Sequence, residues 1–228
     1  MNLLSRLLGK QARPVNWGDL RRLTPISAAF GQDRGTPVRR HYIEAFLDSC
    51  RADLHGRVLE VGDDRYAQAF AAADATIDVL SPSAETPKVT VVGDLMTGDG
   101  IPDERFDAII LTQVLHVIYD MRASIATAHR ALRPGGVLLA SLPALTQISR
   151  FDYDRWGDYW RVTDMAAQRL FDEAFPGGSV TTTAYGNILT ATASLYGVSA
   201  QELSAAELSH YDPDYQILVG VRAQKADH

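Results

Sequence analysis

The sequence predicts an α/β fold with a doubly wound, mostly parallel sheet and an antiparallel C-terminal strand. Between residues 41 and 143, short apolar segments alternate with helical ones, which is typical of parallel strands joined by crossover helices. The strand segments are apolar throughout, as expected of a sheet covered on both faces. No internal repeat, low-complexity tract or clean linker divides the 228 residues, so a single domain is predicted.

Residues 1–40 are predicted to form an N-terminal arm. The stretch "MNLLSRLLGK" places four leucines on one helical face. We expect a terminal helix packed on its own domain, with a helix that meets a membrane surface or a partner as the alternative. Residues 12–37 contain three prolines and several glycines and are predicted to be irregular. A helix is then predicted in "VRRHYIEAFLDSCRADL".

Residues 41–143 are predicted to be a core with five strands. Helices are expected in "YAQAFAAA" and "DMRASIATAHRAL", the second stopped by Pro134, Gly135 and Gly136. The strands are predicted, in chain order, in "RVLEVG", "ATIDVL", "KVTVVGDL", "RFDAIILTQVL" and "GVLLASLP".

Residues 144–228 change in character. "ISRFDYDRWGDYWRVT" is aromatic and is predicted to be a loop, and "DMAAQRLFDEAF" to be a helix capped by Asp164. "SVTTTAYG" and "YQILVGVRAQ" are predicted strands, separated by the helical segments "NILTATASLYG" and "SAQELSAAELSHY". The C-terminal strands therefore enclose a helical insertion.

Composition narrows the classes of function. The net charge of −6 disfavours a nucleic-acid partner, which usually requires a basic face. Cys50 is the sole cysteine, so an intramolecular disulfide and a cysteine metal cluster are excluded, and a cytoplasmic location is predicted. No apolar run approaches the roughly 20 residues of a membrane span. His210 near Asp212 and Asp214 is more typical of a solvated turn than of a metal site, so none is predicted.

Polar residues follow each predicted strand of the core. A doubly wound sheet binds ligands beyond the carboxyl ends of its strands, where the strand order reverses, so these residues should surround one crevice. They are Glu60, Gly62, Asp63 and Asp64 after the first strand, Asp78 at the end of the second, Gly93, Asp94 and Leu95 after the third, and Thr112, Gln113 and His116 after the fourth.

The loop after the first strand has unusual chemistry. Asp63, Asp64 and Arg65 follow Gly62 where further glycines are expected, and the G-x-G-x-x-G pattern of a nicotinamide oxidoreductase is absent. Aspartates would repel a pyrophosphate and favour a ligand with positive charge, such as a sulfonium. Asp78 lies 18 residues after Glu60, near the spacing at which an acid holds a ribose.

The ordered set "VLEVG", "IDVL", "GDL", "FDAIILTQVLHVI" and "HRALRPGGVLLASLP" resembles the class I S-adenosylmethionine-dependent methyltransferases, in the small-molecule branch called type 11. The resemblance covers residues 58–143 and implies a Rossmann-like fold, S-adenosylmethionine as cofactor and S-adenosylhomocysteine as product. "ISRFDYDRWGDYWRVT" and "FGQDRGTPVRRHYIE" also resemble a bacterial subgroup found beside or fused to sugar transferases. That implies a sugar or glycan acceptor and leaves a sugar-transferase partner or a homodimer open.

Roles for individual residues follow from the resemblance. The sequence departs from the family pattern at two places. One is the glycine-poor loop. The other is Asp78, because the ribose acid of the family normally stands one residue nearer the pair Ser81 and Pro82. We predict a variant working loop rather than a decayed one. The implied contacts are Glu60, Gly62 and Asp63 with the methionine part of the cofactor, Asp78 with the ribose, Asp94 and Leu95 with the adenine, and Gln113 with both cofactor and substrate.

His116 is the predicted general base, because an imidazole with an unperturbed pKa of about 6.5 can take a hydroxyl proton at neutral pH. The alternative is that it only packs at a helix start. The predicted substrate contacts are in the aromatic loop, where rings could stack on a sugar; the alternative is a lid or interface cluster. Arg39 and Tyr42 could also close over the cofactor. The substrate residues are Tyr153, Trp156, Tyr159, Trp160 and Arg161.

The favoured function is therefore O-methylation of a small polar acceptor, with a sugar or glycan hydroxyl preferred. O- or N-methylation of another small metabolite is the first alternative. "TQVLHV" lacks the Asn/Asp-Pro-Pro-Tyr/Phe signature of many amine-methylating enzymes, which disfavours N-methylation. The second alternative is a non-catalytic, cofactor-binding scaffold protein.

Overall fold

The computed structural model describes residues 14–84 and 86–227. The predicted leucine-rich helix lies in residues 1–13, outside the described residues. Within the described part of the chain, no helix is both long enough and apolar enough to cross a membrane.

Seven strands form one sheet in the order β3-β2-β1-β4-β5-β7-β6. Neighbours among β1 to β5 are parallel, and β7 is antiparallel to both β5 and β6. The predicted fold class is thus confirmed. The strands are β1 (Arg57–Val61), β2 (Thr76–Ser81), β3 (Val91–Val92), β4 (Phe106–Thr112), β5 (Leu132–Pro143), β6 (Ser179–Tyr185) and β7 (Leu218–Gln224).

Helices cover both faces of the sheet, as the apolar strands require. Contacts join α1 to α2, α6 and β7, and join α3 to α5 and α5 to β6. The helices are α1 (Val38–Ser49), α2 (Arg65–Phe70), α3 (Met121–Ala131), α4 (Arg150–Tyr153), α5 (Asp164–Ala174), α6 (Ile188–Tyr196) and α7 (Ala205–Ser209).

Two apolar cores result, one on each face. Successive side chains of a strand point to opposite faces. Val58 accordingly packs with Phe46 of α1, whereas its neighbour Leu59 belongs to the core that contains Ile125 of α3 and Phe171 of α5. Both cores are needed to hold β1, and β1 carries the loop at which the predicted site begins.

Two local predictions were wrong. The segment "RPGG" does not separate α3 from the next strand, because Leu132 already pairs with Phe106 and a register shift follows before Ala108. Strand β5 therefore includes these residues, and a Cβ on Gly136 would come within 3.1 Å of backbone oxygens of β4. The cap of α5 is Thr163 rather than Asp164: its hydroxyl oxygen accepts from the backbone N–H of Ala166 at 3.3 Å.

The topology fixes where a ligand crevice lies. From β1 the chain moves outward through β2 to β3, and then returns to β4 on the other side of β1. The strand order therefore reverses between β1 and β4, and their carboxyl ends, Val61 and Thr112, border the crevice.

Candidate functional site

The loop after β1 depends on a glycine. Gly62 has φ of +88°, a backbone conformation that other L residues rarely adopt. A Cβ built there would meet no heavy atom within 4 Å, so the space beside the backbone is open. The backbone N–H of Gly62 donates to the carbonyl of Leu80 at 2.9 Å, which ties the loop to β2. One glycine thus suffices for the turn and leaves its backbone accessible to a ligand.

Glu60 stabilises this loop through hydrogen bonds. Its carboxylate is buried and accepts from the backbone N–H of Tyr66 at 3.2 Å and of Ala67 at 2.7 Å, in the first turn of α2. Burial raises the pKa of Glu60 to about 7, while these two hydrogen bonds act in the opposite direction. Asp63 and Asp64 are the other loop carboxylates, and Asp64 forms an ion pair with Lys88 at 2.5 Å.

These residues surround a first cavity of about 200 Å³, here called the loop cavity. Its lining includes three predicted residues, Glu60, Gly62 and Asp63, together with Tyr66 and Thr112. The cavity lies at the carboxyl ends of β1 and β4. The structure therefore brings the predicted methionine-binding residues together at the switch point of the sheet.

Asp78 does not reach this edge. It lies in the middle of β2, beside Leu59 in the parallel register, with three residues still to follow in the strand. Its carboxylate is buried and accepts from Nε and Nη2 of Arg57 at 2.5 and 3.1 Å and from the hydroxyl of Thr90 at 2.7 Å. Both carboxylate oxygens thus have partners within the protein, and the geometry gives no support to a ribose contact.

Asp94 and Leu95 follow β3, as predicted. Oδ1 of Asp94 accepts from the backbone N–H of Met96 at 2.6 Å, which leaves Oδ2 without a partner among the described residues. Leu95 is buried in the core that also contains Leu59. Neither side chain lines the loop cavity. An adenine contact therefore stays a prediction, for which the half-buried Asp94 carboxylate offers one free acceptor.

A second, larger cavity of about 310 Å³ adjoins the first. We call it the acceptor cavity. It shares Tyr66 and Thr112 with the loop cavity, so a ligand in one would border a ligand in the other. Several charged or hydrogen-bonding side chains line this cavity and not the loop cavity. They come from α1, from the segment after β4 and from the aromatic loop, and they include Arg39, Arg40, Gln113, His116, Asp152, Asp158 and Arg161.

Gln113 follows β4 in a strained conformation. Its φ is +55°, which is uncommon for a residue other than glycine and costs free energy of about 1–3 kcal/mol. Ser141 of β5 holds it there: the backbone N–H of Gln113 donates to the Ser141 carbonyl at 3.0 Å, and Nε2 lies 3.3 Å from the Ser141 hydroxyl. The strain is located where the two cavities meet.

His116 lies deeper in the acceptor cavity, in a 3₁₀ turn (Leu115–Val117). It is 6% exposed, and Nδ1 has no hydrogen-bond partner among the described residues. Burial lowers the pKa of His116 to about 4, although Asp158 and Asp152 oppose the shift. The imidazole is therefore neutral at physiological pH. Its pKa is lower than the unperturbed value on which the prediction of a general base relied.

The aromatic loop divides into two sets of residues. Arg161 lines the acceptor cavity, where it forms a two-pronged ion pair with Asp158 at 2.5 and 2.8 Å and also donates to the carbonyl of Gln147. The four predicted aromatic residues are not among the cavity's lining residues and are 39–57% exposed. This exposed set, called the aromatic rim below, is Tyr153, Trp156, Tyr159 and Trp160.

Part of the rim supports the turn that carries His116. The backbone N–H of Tyr159 donates to the His116 carbonyl at 2.9 Å. The indole N–H of Trp160 lies 3.1 Å from the carbonyl of Ile118 and 3.2 Å from that of Tyr119. These contacts give the rim a structural role in addition to any contact with a substrate.

Other lining residues were missed or assigned differently by the sequence. Asp152 and Asp158 alternate with the rings of the aromatic loop, and nothing in the sequence pattern shows which of its carboxylates reach the cavity. Arg39 lies at the acceptor cavity. Tyr42 packs in the core, stacks on Tyr185, and donates its hydroxyl to the carbonyl of Leu208 at 2.8 Å. In residues 14–84 and 86–227 no group of three or more His, Cys, Asp or Glu side chains is arranged to hold a metal.

Solved structures with the same fold include a SAM-dependent methyltransferase from Archaeoglobus fulgidus, which is 11% identical, with 82% of this chain and 94% of that chain covered and a TM-score of 0.53. An S-adenosylmethionine-dependent methyltransferase from Mesorhizobium loti is 18% identical, with coverages of 82% and 98% and a TM-score of 0.52. The N-methyltransferase NodS from Bradyrhizobium japonicum WM9, in complex with S-adenosylhomocysteine, is 14% identical, with coverages of 85% and 90% and a TM-score of 0.50.

At these identities the structures establish the fold alone. No curated protein matches the sequence significantly. The family described as a methyltransferase domain matches residues 36–175, which include α1, strands β1 to β5, the loop cavity, most of the lining of the acceptor cavity and the aromatic loop. Because this match spans more than half of the chain, the protein belongs to this methyltransferase family, the S-adenosylmethionine-dependent class that its sequence motifs resemble.

Proposed function

We propose that the protein transfers the methyl group of S-adenosylmethionine to a hydroxyl oxygen of a small polar acceptor, preferably a sugar or glycan. The observation that carries the proposal is the pair of adjoining cavities. The loop cavity lies at the switch point, where this fold binds its cofactor, and the acceptor cavity shares Tyr66 and Thr112 with it. Two ligands placed side by side are what direct group transfer requires.

The residues of the loop cavity fit a cationic cofactor. Gly62 leaves open space beside an accessible backbone. Asp63 lines the cavity together with Arg65, and Glu60, with a pKa of about 7, is partly ionised at neutral pH, so Glu60 and Asp63 are the carboxylates that would face a sulfonium. Bound there, S-adenosylmethionine supplies an electrophilic methyl group on a sulfonium. We assign Glu60, Gly62 and Asp63 to its methionine part, and Asp94 and Leu95 to its adenine.

The residues after β4 would orient the acceptor. As its oxygen bonds to the methyl carbon, the carbon–sulfur bond breaks and the hydroxyl loses its proton. His116 is neutral and has an unpaired buried nitrogen, so it can accept a hydrogen bond from that hydroxyl and then its proton. The pKa of about 4 makes it a weak base, so we assign most of the rate enhancement to orientation by Gln113 and His116.

A sugar suits the polar lining of the acceptor cavity. Asp152 and Gln113 offer acceptors and donors for hydroxyls, and the exposed aromatic rim lies on the same loop as Asp152 and Arg161. Trp156 is the most exposed residue of the rim, and its ring can stack on an apolar sugar face. N-methylation of a small amine is the second candidate, because NodS, which has the same fold, is described as an N-methyltransferase.

The direct test is a methyl-transfer assay with S-[methyl-³H]-adenosylmethionine and a panel of monosaccharides, glycosides and small amines. We expect transfer to at least one hydroxylated acceptor and an O-methyl group in the product by mass spectrometry and NMR. Transfer only to amines would replace O-methylation with N-methylation. If the folded protein binds S-adenosylhomocysteine and methylates nothing in the panel, the scaffold alternative gains support.

We also propose a cellular setting. A single cysteine favours a reducing cytoplasm, and we place the protein there, in a bacterium. Association with a sugar transferase or with a second copy of the chain stays a prediction from the sequence resemblance.

A further inference from the structure

The acceptor cavity contains two cations that the protein leaves without an ionic partner. Arg39 and Arg40 lie in the first turn of α1 and line the cavity. Among the described residues, no carboxylate lies within ion-pair distance of either guanidinium, whereas Arg161 beside them is fully paired with Asp158. A half-buried charge normally has a partner, because its desolvation is otherwise uncompensated.

The two arginines differ in their charged and aromatic neighbours. Tyr66, at the loop cavity, has Arg40 as its strongest charged neighbour. The charged groups that act on the Arg39 guanidinium are instead Arg161, Asp158 and Asp152. The guanidinium also lies 5.3 Å from the ring centre of Phe30. Burial and the nearby Arg161 lower the pKa of Arg39 to about 10, so it is still charged at neutral pH. Arg39 therefore belongs to the acceptor side.

The charges around the cavity leave an excess of positive charge. Asp158 cancels Arg161 and His116 is neutral, so Asp152 is the one remaining carboxylate among the described lining residues against two arginines, Arg39 and Arg40. The N-terminus of the 12-residue α1 adds to this potential, since its first turn contains no acidic residue. The excess lies in a chain whose net charge is −6.

A second, independent feature indicates an absent ligand. His116 is more than nine-tenths buried, lines the same cavity, and has an Nδ1 atom without any hydrogen-bond partner among the described residues. Buried polar atoms nearly always have a hydrogen-bond partner. Nδ1 of His116 without such a partner, in the same cavity as the Arg39 guanidinium without an ionic partner, therefore indicates that a bound molecule interacts with both groups.

We propose that the acceptor carries an acidic group, a carboxylate or a phosphate, and that Arg39 binds this group beside the N-terminus of α1. The planar guanidinium can donate two parallel hydrogen bonds to either anion. This binding would fix the acceptor at one end and leave a hydroxyl beside Gln113 and His116. The inference rests on the proposed function, since it specifies the acceptor of that same site.

The test measures anion binding separately from turnover. Protein saturated with S-adenosylhomocysteine is titrated calorimetrically with inorganic phosphate or with acetate at constant ionic strength, so that the two probes distinguish the phosphate from the carboxylate. We expect saturable binding of at least one probe, weakened about tenfold or more in Arg39→Gln and partly restored in Arg39→Lys. Arg169→Gln is the matched control, because it removes the same charge from an exposed site on α5.

The outcomes distinguish a failure of the acidic-acceptor proposal from a failure of the proposed methyltransferase function. Saturable binding that depends on Arg39 supports the acidic acceptor. No saturable binding of either probe, or equal binding by Arg39→Gln, overturns it even when S-adenosylhomocysteine binds normally. Failure of S-adenosylhomocysteine to bind the folded protein would instead remove the proposed function. If Arg39→Gln does not fold, the wild-type titrations and Arg39→Lys still give the answer.

Discussion

Arg57 and Asp78 form an ion pair between the first two parallel strands, with Nε of Arg57 2.5 Å from Oδ2 of Asp78. The aspartate side chain is 5% exposed and that of the arginine 31% exposed. Asp78, the residue that the sequence suggested for ribose binding, thus links β2 to β1 through this ion pair.

The Asp78→Asn variant should therefore lose stability and keep its cofactor affinity. Removing the charge leaves the partly exposed Arg57 without its partner, which should lower the free energy of unfolding by about 1–3 kcal/mol. Chemical denaturation gives the stability, and calorimetry gives the affinity for S-adenosylhomocysteine. A tenfold weaker affinity with unchanged stability would restore the ribose assignment.

Asp94 should show the opposite behaviour. In Asp94→Asn the amide oxygen can still accept from the backbone N–H of Met96, so the turn should persist and the melting temperature should change little. The second carboxylate oxygen is lost as an acceptor for the adenine amino group. We expect about tenfold weaker binding of S-adenosylhomocysteine, and unchanged affinity would exclude the adenine contact.

The pH dependence of turnover tests His116. Because the pKa of His116 is lowered to about 4, the imidazole stays neutral through the range in which an exposed histidine would protonate. The wild-type kcat should accordingly show no loss at pH 6.5 and should decline only as the pH approaches about 4. In His116→Gln, kcat should fall by about a hundredfold while affinity for S-adenosylhomocysteine is kept. Near-normal turnover by this variant would leave His116 with a packing role only.

Glu60 makes stability depend on pH in a defined window. Its folded pKa, about 7, is raised above the ordinary value of 4.5, so the folded state binds the proton more tightly than the unfolded state. The stabilisation is complete below pH 4.5 and is lost as the pH rises through about 7. Denaturation at pH 5 and pH 8 should show a decrease that is smaller in Glu60→Gln. An equal decrease in both proteins would show that other groups cause it.

Much of this architecture could be predicted from the sequence because it depends on local patterns. Apolar segments placed all five core strands, and their order placed Glu60, Gly62 and Gln113 at one edge of the sheet. The partner of Asp78 could not be predicted, since it depends on the register between β1 and β2 and on which way alternate side chains point. The continuity of α3 with β5 likewise depends on the pairing of Leu132 with Phe106.

The division of the aromatic loop could not be read from the sequence either. Rings and carboxylates alternate too closely there for any pattern to show that Asp152, Asp158 and Arg161 line the cavity while Trp156 stays outside. The strain at Gln113 is also a tertiary effect, imposed by Ser141 of the neighbouring strand.

The measurement that tests the central claim most directly is isothermal titration of the purified protein with S-adenosylhomocysteine. The account predicts saturable, micromolar, one-site binding that Gly62→Val abolishes, because valine is strained at φ of +88° and its side chain would occupy the open space of the loop. Far-ultraviolet circular dichroism must show that both proteins are folded. Absence of binding by folded wild-type protein would contradict the account, because the loop after β1 would then not be a cofactor site.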